Sequence, residues 1–96
     1  MSDIKLFRLT TGEEILAKET ATGSDYSKIT DAVTLVYQQT AQDKMSVGFA
    51  PFMPYCDGDI HLRHVGVVAI SDPNERMLQE YNRLFSNIVI APANAI

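Results

Sequence analysis

The chain has 96 residues, of which 46% are hydrophobic and 21% charged, and its formal net charge is −4. That length gives one small domain, and that apolar fraction excludes a disordered chain. Twelve acidic against eight basic residues exclude bulk attraction to nucleic acid, which needs a basic excess to neutralise phosphates.

Residues 4–10, IKLFRLT, predict a first strand, and 14–20, EILAKET, predict its antiparallel partner. Between them Thr11-Gly12-Glu13 is short enough for a tight hairpin, with Gly12 supplying the positive φ such a turn needs. ATGSDYSK (21–28) has loop composition. KITDAVTLVYQQ (28–39) carries the clearest period of two, with Ile29, Asp31, Val33, Leu35 and Tyr37 on one side and Thr30, Ala32, Thr34 and Val36 on the other. After a polar turn at 40–44, MSVGFAPFM (45–53) predicts a strand that Gly48 and Pro51 bend or leave at an edge. A turn on Asp57-Gly58 leads to a long strand at 60–70, IHLRHVGVVAI, curved at Gly66.

The period then changes. Asp72 suits an N-cap, Pro73 the first helical position and Glu75 the third position after the cap. Met77, Leu78, Tyr81, Leu84 and Phe85 recur at spacings of three and four, which predicts an amphipathic helix to about Ser86 that packs on the open end of the sheet. Residues 87–96 are expected as an extended tail. The expected fold is mainly β: a small, strongly bent, five-stranded antiparallel barrel of the SH3-like type over about 4–72, with a C-terminal helix over 73–86, in a single domain 1–96.

The single Cys56 excludes an intrachain disulfide and fits a reducing compartment. No apolar run approaches a membrane span and no secretory segment follows Met1, so a soluble, cytoplasmic protein is expected. Glu13 and Glu14 are neighbours on an extended segment and point to opposite faces, which rules out a shared acid–base role. His61 and His64, three apart on one strand, also point apart and cannot ligate one metal together. With no nucleophile–base order and no glycine-rich phosphate cradle, neither an enzyme nor a cofactor is expected.

The hairpin IKLFRLTTGEEILAKE, the segment DYSKITDAVTLV with Asp31-Ala32, and the strand LRHVGVVAISDP with Arg63-His64 resemble the Sm-like family, including its bacterial Hfq branch. The resemblance covers roughly residues 4–72. It implies a bent Sm-type barrel and a homo-oligomeric ring formed by pairing of strand edges, and it implies a role in RNA metabolism. By the same resemblance Tyr26 would stack a base, Lys28 would meet phosphate, and Arg63 and His64 would line the pore side of a site for single-stranded RNA. Ala17 stands in place of the family's second-strand glycine, and Asp57-Gly58 in place of its Arg-Gly pair. These departures keep open a ring that works through contacts with other proteins instead. Compact, divergent relatives of this kind are typical of phage-encoded proteins, which act in the host cytoplasm.

Overall fold

The structure, a computed structural model, describes residues 3–39, 41, 42 and 44–95, with the side chains of 86–95 outside that description. The expected turn at 40–44 and the last residue of the expected tail lie partly or wholly outside the described residues. Six strands and one helix follow in order: β1 (Ile4–Leu9), β2 (Glu14–Thr22), β3 (Tyr26–Gln39), β4 (Met45–Pro51), β5 (Ile60–Arg63), β6 (Val67–Ser71) and α1 (Glu75–Ala95). All pair antiparallel, in the order β4-β3-β2-β1-β6, with β5 added alongside the first part of β3. The first hairpin turns as the sequence predicts. Gly12 sits at φ = 96°, and its N–H donates to the Leu9 carbonyl at 2.9 Å.

The single long strand expected at 60–70 is two strands. A 3-10 turn at His64–Gly66 separates β5, which pairs with β3, from β6, which pairs with β1. The break lets one run of chain serve two distant strands. The His64 N–H donates to the Asp25 carbonyl at 2.8 Å and the Thr10 N–H donates to the Gly66 carbonyl at 2.9 Å, so each end of the turn is tied to a different part of the sheet. No ladder joins β5 to β6 among the described residues. The expected barrel is therefore observed as a six-stranded sheet that strand pairing does not close, with β4 and β6 at its two ends.

A bulge decides what each half of β3 faces. Leu16 pairs with Val33 but Lys18 pairs with Thr30, so three steps along β3 match two along β2. The extra residue falls at Asp31–Ala32, and Asp31 takes the left-handed conformation, φ = 54°, which Asp tolerates better than most side chains. Ile29 then joins Phe7, Leu9, Ile15, Ala17 and Leu62 in one core, whereas Val33 and Leu35 join Ile4, Leu16 and Tyr81 in another. The uniform alternation expected along 29–37 is thus split between two faces. Neighbours Ile15 and Leu16, both fully buried, point into different cores, as adjacent strand residues must.

The helix covers the second core with Met77, Leu78, Leu84 and Phe85 around the buried Tyr81, which is the face its sequence spacing predicts. Its two ends differ from expectation. Asn74, not Asp72, is the N-cap: its Oδ1 accepts the Met77 N–H at 2.9 Å, and its carbonyl accepts the Leu78 N–H at 3.0 Å. Asp72 is drawn back to the sheet by the Lys5 ammonium, 2.7 Å away. At the other end the helix continues to Ala95, where an extended tail from residue 87 was expected. β-branched Ile88, Val89 and Ile90 favour strands, but that preference is weak, and once a helix is nucleated each added residue other than Pro92, which has no N–H to donate, gains a bond at little cost. Replacing Asn74 with alanine is expected to lower unfolding free energy by about 1 kcal/mol. Asp72→Ala should cost less in the same denaturant titration, since its ion pair is exposed.

Candidate functional site

The β3–β5 ladder brings the sequence-predicted residues together. Tyr26 pairs with Arg63, Ser27 with Leu62 and Lys28 with His61. Residues directly opposite on paired strands share a face, so Tyr26, Lys28, His61 and Arg63 lie on one side, while Ser27 and Leu62 point into the protein, buried. The Tyr26 ring meets the His61 ring edge-on, with centroids 5.0 Å apart. Its other neighbour is Gly23, where an added Cβ would lie 3.2 Å from the ring. A side chain at 23 would require the Tyr26 ring to give by a few tenths of an ångström.

Each cation of this face has a carboxylate beside it. Arg63 Nη1 is 3.4 Å from Asp25 Oδ2, and Lys28 Nζ is 3.9 Å from Asp59 Oδ2. All four side chains are more than two-fifths exposed, so these pairs hold little energy and exchange readily with another anion. His64 stands apart from the other three. Its Nε2 lies 2.9 Å from the Oγ of buried Ser27, so it satisfies a polar group that would otherwise be stranded inside. His61 and His64 thus serve different neighbours. Among the described residues no group of three or more His, Cys, Asp or Glu side chains could hold a metal ion.

Sequence reasoning missed His61 as the ring against Tyr26, Asp25 and Asp59 as counter-charges, and Ser27 as the partner of His64. Asp25 and Asp59 each adjoin a strand end, a signal for charge pairing, but the pairing of β3 with β5 skips β4 in the chain and is invisible without the fold.

The two glutamates of the first turn separate as expected. Glu13 is exposed and accepts a hydrogen bond from Thr11 Oγ1 at 3.1 Å. Glu14 is mostly covered, its Oε2 2.8 Å from Arg8 Nη2, and its Oε1 accepts a hydrogen bond from the Tyr37 hydroxyl. That hydrogen bond, with burial and the Glu14 charge adding to it, raises the Tyr37 phenol above its ordinary value. Glu14 ties β1, β2 and β3 together.

No protein-family model matches the chain, and no curated protein matches it in sequence. Among the described residues no helix is long and apolar enough to cross a membrane.

Proposed function

We propose that the chain is a non-catalytic, Sm-like module that assembles with copies of itself into a ring and holds single-stranded RNA on the β3–β5 face. The observation that supports assembly is the pair of unpaired edges at the two ends of one sheet. β4 forms seven successive pairs with β3 and no bulge, and nothing pairs with its outer side among the described residues. β6 is likewise paired on one side only. Met45, Val47, Val68 and Ile70 are exposed along these edges, and neither strand carries the lysines that blunt the edge of a monomer. Joining unlike edges head to tail repeats one contact around a closed circle.

The RNA reading rests on the convergence of Tyr26, Lys28, His61 and Arg63 on one exposed face. A ring repeats that face once per subunit, and single-base stacking worth about 1–3 kcal/mol per site then accumulates. The carboxylates of Asp59 and Asp25 beside Lys28 and Arg63 favour the second reading, an assembly ring that works through other proteins, because each would repel a phosphate brought to its cation. Light scattering gives the size, and titration with short U-rich or A-rich RNA at low salt separates the two. Under the RNA reading Tyr26→Ala weakens binding by about tenfold, and Arg63→Ala also flattens its salt dependence. An oligomer with no measurable RNA affinity leaves the assembly reading standing alone, and a strictly monomeric chain removes both.

A further inference from the structure

The β3–β5 face carries two carboxylates beside its two cations, and a carboxylate repels phosphate. The edge of a nucleobase is different, because it offers N–H groups that a carboxylate accepts. Asp25 and Arg63 stand together next to Tyr26. Arg63 is the cross-strand partner of Tyr26, and Asp25 precedes Tyr26 in the chain. The backbone fixes this corner: the Asp25 carbonyl accepts the His64 N–H at 2.8 Å, and the Tyr26 carbonyl accepts the Gly23 N–H at 2.8 Å. Arg63 Nη1 lies 3.4 Å from Asp25 Oδ2, and the two side chains are 67% and 68% exposed. So long and open a contact yields readily to a better set of hydrogen bonds.

Side by side, these groups present two acceptors and then a donor: the carboxylate oxygens, followed by a guanidinium N–H. The complement is donor, donor, acceptor. Guanine carries that order on its Watson–Crick edge, in the N2 amine, N1–H and O6. Uracil has a single N–H between two carbonyls, so one carbonyl oxygen would meet the carboxylate. Adenine and cytosine each set one amine beside a ring-nitrogen acceptor, which again faces a carboxylate oxygen. Lys28 and Asp59 lie further apart, at 3.9 Å, and an ammonium lacks the planar fork of arginine. We propose that the Asp25–Arg63 pair selects a guanine base stacked on Tyr26, the carboxylate accepting from N1–H and N2–H and the guanidinium donating to O6. The proposal rests on the RNA reading above and names the base it prefers. A free guanine nucleotide presents the same edge and is the other source of it.

The test is fluorescence anisotropy of the full chain at low salt, with labelled oligo-U RNAs that differ only in one central base: guanine, inosine, adenine or uracil. Calorimetry with guanosine and uridine monophosphates covers the free nucleotide, and circular dichroism verifies folding of the variant. Wild type should bind the guanine RNA about tenfold or more tightly than the uracil RNA, the discrimination of one bidentate pair. Inosine lacks only the N2 amine and should fall between them. Asp25→Asn keeps the shape but replaces one acceptor with a donor, so the guanine-to-uracil ratio should drop to near one. A carboxylate that acts only through its charge would shift affinity for all four RNAs alike and leave that ratio standing. Equal affinity of wild type for the four RNAs, or a ratio that survives Asp25→Asn, overturns guanine selection and leaves the RNA reading intact. Preferential binding of guanosine monophosphate without RNA affinity supports guanine selection and removes the RNA reading. Binding of neither RNA nor nucleotide overturns both.

Discussion

Tyr81→Ala is expected to lower the unfolding free energy by about 3–5 kcal/mol, as for other fully buried aromatics. Tyr81 is wholly buried between the sheet and the helix, packs against Phe85 with ring centroids 4.7 Å apart, and its hydroxyl donates to the Asp31 carbonyl at 2.6 Å. One side chain thus docks the helix and satisfies the backbone at the bulge of β3. Tyr81→Phe keeps the ring and removes only the donor, so it should cost about 1–2 kcal/mol, the range for leaving a part-buried carbonyl unpaired. The two variants separate packing from hydrogen bonding in one denaturant titration.

The same residue gives a pH dependence with a fixed sign. Burial, and secondarily the nearby Asp31 charge, raise the Tyr81 phenol above its ordinary value, with a backbone hydrogen bond from Lys18 opposing. In the unfolded chain the phenol ionises near its ordinary value of about 10. Its contribution is fully present below that value and is lost as pH rises through it toward the higher folded value, because only the unfolded chain readily gives up the proton. Stability should therefore fall in the alkaline range, and Tyr81→Phe should fall less steeply there. Equal slopes for the two proteins would mean that other groups govern alkaline unfolding.

Phe7→Ala is the second large effect expected, also about 3–5 kcal/mol. Phe7 is fully buried in the core that holds Leu9, Ile15, Ala17, Ile29 and Leu62, on the face of the sheet away from Tyr81. Because the two cores share no residue, Phe7→Ala combined with Tyr81→Phe should be additive to within about 0.5 kcal/mol. A larger interaction energy would mean that the sheet transmits packing changes from one face to the other.

Much of this fold is legible in the sequence because it depends on near neighbours. Gly12 marks the first hairpin, since a positive φ is cheapest at glycine. The spacing of Met77, Leu78, Tyr81, Leu84 and Phe85 marks the buried face of a helix, and the adjacency of Glu13 and Glu14 separates them onto two faces. The candidate site was legible as residue types, for Tyr26, Lys28 and Arg63 do share an exposed face. Their partners were not, because Asp25, Asp59 and His61 reach them only through the pairing of β3 with β5.

What the sequence determined by itself is a mainly β chain with a turn at Gly12 and an amphipathic helix after Pro73, each a consequence of local conformational preference and side-chain period. Only the tertiary structure decided which face each half of β3 serves. Ile29 and Val33 share one parity in the sequence, yet the bulge at Asp31 turns them into different cores. It also decided that residues 60–71 divide between two partner strands and that Asn74 rather than Asp72 caps the helix. Pairing, bulges and the choice between an ion pair and a cap all depend on what the rest of the chain brings alongside, and the energies of the local alternatives differ by too little to settle them alone.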